Sequence, residues 1–279
     1  MHSRIGELCL QVDEAGSGDE ALRHLSAALS VAEALGAWSS ANRVRAVIVS
    51  AHLQRGALDD AERELKLTTQ VGWDAGDLSM FDTAVRAEIA LGRGDADAGL
   101  RLWRAAAAAL RDTRRQGPGG DLSGLEPWAL QIQAIAVVAH AQHGRLALVA
   151  EITDALPASL AALTADPGLP AEAPADSYPG LSAWGFLLLA LAMTDIDRAQ
   201  RAGDAAAASS GARMIALAER FGLHYGFWPT MSAVRVRRAA QDAGGPAYAE
   251  AVSSYADLDP ERLHAAARAA LQARTQVSG

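Results

Sequence analysis

Cysteine is almost absent from this chain. Cys9 is the only one in 279 residues, so no disulfide can form within it and nothing points to an oxidising compartment. Basic residues are in the minority, 25 Lys and Arg against 33 Asp and Glu. The resulting net charge of -8 favours solubility and argues against unaided binding to a phosphate backbone. Long apolar runs are missing too: the longest, from Leu181 to Met193, is too short to span a bilayer. No N-terminal stretch joins a charged start to an apolar run and a cleavage site, so a cytoplasmic location is expected. Met1-His2-Ser3 leads straight into helical sequence, as in an excised piece of a longer protein. Strand patterns are also lacking, because the one β-branched run, Val47-Ile48-Val49, keeps helical period on both flanks.

Half the residues are apolar while aromatics are only 5%, a mix that suits closely packed helices. The spacing predicts helices in pairs. Ile5, Leu8, Cys9 and Val12 make a short stripe before Gly16-Ser17-Gly18, and Leu22, Leu25, Leu29 and Ala32 carry a helix from an Asp19 cap to Gly36. Val44, Val47, Ile48 and Ala51 recur on one helical face, as do Leu58, Ala61, Leu65 and Thr68 beyond Gly56. Leu78 to Leu91 pairs with Leu100 to Arg115, and Trp128 to His143 with Leu146 to Leu163, where Pro157 should end or kink the second member. Leu181 to Arg201, expected to be buried on more than one side, pairs with Ala205 to Phe221. Residues 116–124 and 164–179, rich in Gly and Pro, read as loops. Met231 to Ala243, Ala247 to Tyr255 and Pro260 to Ala273 form a terminal group.

The turn glycines Gly18, Gly56, Gly94, Gly144 and Gly203 stand 38, 38, 50 and 59 residues apart, and the longer intervals contain the two loops. That is the pattern of stacked helical hairpins with insertions. Ala61, Gly99 and Ala208 lie five residues after a turn glycine, and His52, Ala90, His140 and Ala199 lie four before one. In these positions the chain resembles the tetratricopeptide-repeat family, although most of that family's large aromatic positions are missing. The resemblance implies an all-α, right-handed superhelix of stacked antiparallel helix pairs over residues 1–245, with capping helices at 246–279.

A narrower resemblance rests on the run from Ala212 to Gly222, then Phe227-Trp228-Pro229-Thr230-Met231, Arg237-Arg238-Ala239-Ala240 and Gly245-Pro246-Ala247-Tyr248. These look like the tail of actinobacterial SARP/AfsR-like regulators and related STAND ATPases. There a DNA-binding domain and a nucleotide-binding domain precede a tetratricopeptide sensor. This chain has neither a phosphate-binding loop ending in Gly-Lys-Ser/Thr nor a DNA-reading module, so the resemblance implies the sensor portion alone.

Catalytic signatures are absent. His140 and His143 have ligand spacing but no local Cys, Asp or Glu to complete a metal site, and His140 falls at a buried hairpin position. Asp195 and Asp197, two apart on a helix, point in different directions. Cys9 has no recognisable His partner, and no Gly-x-Ser-x-Gly elbow occurs. The clusters Arg111/Arg114/Arg115 and Arg235/Arg237/Arg238 read as solvated helix surface. The expectation is no enzyme, no cofactor, no metal and no direct nucleic-acid contact. Trp38 and Trp73 should wedge between repeats, and Trp184 with Trp228 could line an aromatic pocket.

If first helices line a concave side, Arg43, Ser50, Gln54, Glu88, Gln131, Gln142, Asp197 and Arg201 are its polar residues. The function expected is a regulatory sensor that binds a peptide, a protein segment or a small-molecule effector and controls adjoining domains of the same regulator. The alternative is an interaction module that self-associates without a ligand. An enzyme would need ionisable residues converging from distant repeats.

Overall fold

The computed structural model describes residues 17–70, 75–113, 127–165, 183–221 and 228–277. Eleven α-helices occupy most of these: α1 Ser17–Ala34, α2 Trp38–Gln54, α3 Leu58–Gln70, α4 Ala75–Gly92, α5 Ala96–Thr113, α6 Pro127–Gln142, α7 Ala150–Ala165, α8 Ala183–Ala202, α9 Ala205–Arg220, α10 Ala233–Tyr255 and α11 Pro260–Val277. Two 3-10 turns, Leu146–Val149 and Pro229–Met231, complete the list. The protein is all-α, its helices packed in sequence as adjacent pairs.

One turn chemistry recurs. Gly36, Gly56, Gly94, Gly144 and Gly203 all have φ between 65 and 85°. At Gly56 the glycine N–H donates to Leu53 O and the next N–H, of Ala57, to His52 O. Gly203 repeats this with Gln200 and Ala199. These reverse bonds satisfy carbonyls that a helix end leaves open, and the left-handed glycine meets no steric penalty because it has no Cβ. Asp204 then starts the next helix, its carboxylate accepting from Ala206 N and Ala207 N at 3.0 Å. A Gly-Asp pair therefore stops one helix and caps another.

Gly18 is not one of these turns; it lies in the first turn of α1, which begins at Ser17 rather than at an Asp19 cap. Gly36 takes the turn role instead. Pro157 neither ends nor breaks α7, which continues to Ala165, and the 3-10 turn 146–149 precedes it. The range given for α10 holds two helical stretches that meet at a kink at Gly244, whose φ of -172° and ψ of 62° are not helical, in keeping with the two expected segments Met231 to Ala243 and Ala247 to Tyr255.

The small residues five positions after the turns have a packing reason. A Cβ on Gly99 would stand 2.6 Å from Leu91 Cγ and 3.0 Å from Ala87 O. Ala61 is wholly buried and Ala208 nearly so. Only small side chains let the two helices of a hairpin approach this closely.

The chain divides into two compact units. Unit one comprises Met1–Ala106 with His224–Ser232, and unit two Ala107–Leu223 with Ala233–Gly279. In unit one, α1 packs on α2, α2 on α3 and α3 on α4, and α2 also touches α4. Leu25 meets Val44, Val47 and Ile48 in its core. In unit two, α8 packs on α6, α7 and α9, while α9 packs on α10 and α11. Residues 185–194 of α8 are buried without interruption, as expected of the most apolar helix.

Candidate binding surfaces

The eight polar residues expected on a concave side have different fates. Arg43 and Gln54 are exposed on α2, but Ser50 between them is only 2% exposed. Glu88 on α4 is equally withdrawn. Ser50 and Glu88 therefore do not line an open groove: their helix faces are covered. Gln131 and Gln142 are half-buried on α6. Asp197 accepts from Arg201 one turn later, at 2.8 Å, and Arg201 also reaches Gly144 O at 3.3 Å, fastening the end of α8 to the turn after α6.

Trp184 and Trp228 each sit in an aromatic group of their own unit. In unit one, Trp228 lies edge-on to Trp103, ring centroids 5.5 Å apart, and tilted on Phe81 at 6.1 Å. Trp103 is fully buried and its indole Nε1 has no hydrogen-bond partner. Two residues beyond Trp228, the Thr230 N–H donates to Glu88 Oε2 at 3.2 Å. Phe81 and Glu88 are seven apart on α4 and so share a face. A segment 142 residues distant along the chain thus covers two turns of that helix. In unit two, Trp184 stacks on Phe221 at 5.6 Å with rings nearly parallel, and His264 stands edge-on to both at 5.0 and 5.2 Å.

Phe81, Thr230, Phe221 and His264 were not singled out by the sequence reading. Thr230 enters the sequence analysis only within the run Phe227 to Met231, and none of the four is marked as a site residue, since each meets its partners only across the fold. Trp38 does not wedge between repeats; it is 54% exposed beside exposed Val31 and Leu35. Trp73, Cys9 and the side chains of Arg111, Arg114, Arg115 and Trp128 lie outside the described residues.

His140 is buried on α6 and its Nδ1 faces the Ala136 carbonyl at 2.7 Å, a packing role. Burial, the largest influence, lowers the pKa of His143, and Arg235 and Arg145 act in the same direction. Burial likewise lowers His52, outweighing Asp60 and Glu64. The Asp195 and Asp197 carboxylates part company as expected, Asp195 accepting from Arg274 of α11 at 2.7 Å. Tyr248 donates to Glu219 at 2.8 Å, and burial first, then this carboxylate, pushes its phenol up to about 12. Arg237 holds the other oxygen of Glu219, so this cationic residue is part of a surface ion pair.

Among the described residues no group of three His, Cys, Asp or Glu is placed to hold a metal ion, and no helix is long and apolar enough to cross a membrane. Comparison with protein-family models, with curated proteins and with solved structures finds no match to this chain.

Proposed function

We propose that this chain is a helical-repeat recognition module, the sensor part of a bacterial transcriptional regulator, that binds a protein segment and passes its occupancy to adjoining domains. The observation that carries the reading is the repeated hairpin. The same glycine turn closes successive pairs at Gly56, Gly94, Gly144 and Gly203, with small buried residues at Ala61, Gly99 and Ala208. Alternate helices also touch, α2 with α4 in unit one and α6 with α8 in unit two. Contacts to both the next helix and the next but one are what a right-handed stack of hairpins requires, and such stacks present extended surfaces suited to peptides. Arg43 and Gln54 remain as exposed polar residues on a helix otherwise buried along most of its length.

A peptide array probed with the full chain tests the reading. Array ligands are expected to lose about tenfold in affinity, roughly 1.4 kcal/mol, when Arg43 and Gln54 are both changed to Ala. An array without ligands rejects the function. Ligands indifferent to both changes reject the surface.

The self-association reading is favoured by one feature, the apolar exposure of Val31, Leu35 and Trp38 where α1 meets α2. Light scattering that shows a concentration-dependent dimer, abolished by Trp38→Lys, would support it over ligand binding.

A further inference from the structure

We infer that the surface around the Gly144 turn of unit two, which carries Arg145, Arg235, Leu148 and Val234, binds an acidic protein segment whose carboxylates stand beside apolar residues. This goes beyond the reading above, because it assigns a second surface and the chemistry of what fits it.

Cations reach this turn from separate elements. His143 and Arg145 flank Gly144 itself. From the end of α8, Arg201 donates to the Gly144 carbonyl at 3.3 Å. From the start of α10, Arg235 stands close enough for its charge to act on the His143 ring, as the charge of Arg145 does. Burial comes first among the influences that keep the proton off His143; the two arginines follow, and no carboxylate acts against them.

Neighbouring cations are already engaged. Asp197 holds Arg201 and Glu219 holds Arg237, both at 2.8 Å, while Arg198 and Arg238 face Asp154 and Asp242 at 3.6 and 3.7 Å. Arg235 is exposed and forms no ion pair among the described residues. Two guanidiniums brought to one turn repel each other, and a carboxylate bound beside them relieves that repulsion while accepting their hydrogen bonds. In a chain of net charge -8, such a spot attracts anions that the rest of the surface repels.

The apolar side chains decide which anion fits. Leu148, whose N–H donates to Arg145 O at 3.0 Å, is 47% exposed, and Val234, next to Arg235, is 64% exposed. A phosphodiester backbone offers these two nothing. An acidic peptide with aliphatic residues satisfies both kinds of group, burying apolar surface inside a charged rim.

A peptide array tests the assignment, its spots mixing aspartate or glutamate with leucine in varied order, each matched by a spot with asparagine or glutamine instead. Acidic spots should retain the full chain and their amide twins should not; no retention on any acidic spot overturns the proposal. The strongest spot, made as a labelled soluble peptide, is then followed by fluorescence anisotropy. Arg145→Glu with Arg235→Glu should weaken it about 100-fold, since like charges then face each other. A peptide with lysine at the acidic positions should bind this double variant better than it binds the parent. Leu148→Ser with Val234→Ser should weaken the acidic peptide about fivefold and leave single-stranded DNA unaffected.

Unchanged affinity in the double glutamate variant overturns the proposal. DNA bound more tightly than the peptide does so too, since the patch would then read charge alone. Should the double variant melt early, Arg235→Ala decides: about tenfold weaker binding is expected, and an unchanged value overturns the proposal. Array capture that needs Arg43 and Gln54 but ignores Arg145 and Arg235 defeats this inference while leaving the recognition reading intact.

Discussion

Each unit contains a trio of rings, and the trios differ in what they complete. In unit one, Trp103 is fully buried and the third ring, Trp228, comes from the residue that precedes the 3-10 turn Pro229–Met231, far along the chain. In unit two, Trp184 is half-buried and its third ring, His264, comes from α11, whose own hold on the unit includes buried Leu263 and Ala267 and the Arg274–Asp195 pair. Along α6 and α8 the core of unit two is largely aliphatic, with Ile135, Val137, Leu187, Leu188, Leu189 and Leu191 fully buried. The same ring chemistry is thus central in one unit and peripheral in the other, and burial rather than residue type sets its worth.

The sharpest test of that contrast is Trp103→Ala against Trp184→Ala. Removing a wholly buried tryptophan should cost about 3–5 kcal/mol. Losing the half-buried one, with its ring contacts, should cost about 1–2 kcal/mol. Urea unfolding of both variants measures the two values, and equal losses would break the distinction between a central and a peripheral trio.

Next in size are the close helix approaches, present in both units. Gly211 of α9 would place a Cβ 2.6 Å from Ile196 Cγ1 and 3.2 Å from Ala192 O, much as Gly99 would meet Leu91 and Ala87. Gly99→Val and Gly211→Val should each lose about 1–3 kcal/mol through overpacking. Thermal melts that leave either variant unchanged would show that the hairpin concerned can spread without cost.

The smallest expected effect concerns acid. His52 in unit one and His143 in unit two both resist protonation when folded, because burial disfavours the cation. The unfolded chain takes up those protons near the ordinary value of 6.5, so their contribution to stability is complete above that pH and declines as pH falls through and below it. Urea midpoints measured across this window should drop, and His52→Gln and His143→Gln should each flatten part of the drop. A midpoint that rises on acidification contradicts the burial argument in both units.

Local chemistry was legible from residues alone. Alanine-rich stretches with apolar positions at helical spacing gave the helices, and glycine followed by a helix start gave the turns at Gly56, Gly94, Gly144 and Gly203. Asp204 shows why: its cap closes bonds to residues two and three positions away, so the neighbouring sequence contains everything needed. Where a rule of thumb failed, the failure was also local. Gly18 has the spacing of a turn glycine, yet it lies in the first turn of α1. Pro157 is expected to end or kink its helix; it does not end it, and α7 continues to Ala165.

The proposed surface was less legible. Arg43 and Gln54, expected on a concave side, are exposed, but Ser50, on the same helix, is buried, and periodicity does not reveal what lies over it. The sequence by itself determined that this is an all-helical chain of paired segments, because helix periodicity, turn glycines and caps act within a few residues. Only the tertiary structure decided that Trp228 and Thr230 would close over Phe81, Trp103 and Glu88, because that contact joins points 142 residues apart and depends on which buried faces are left to cover.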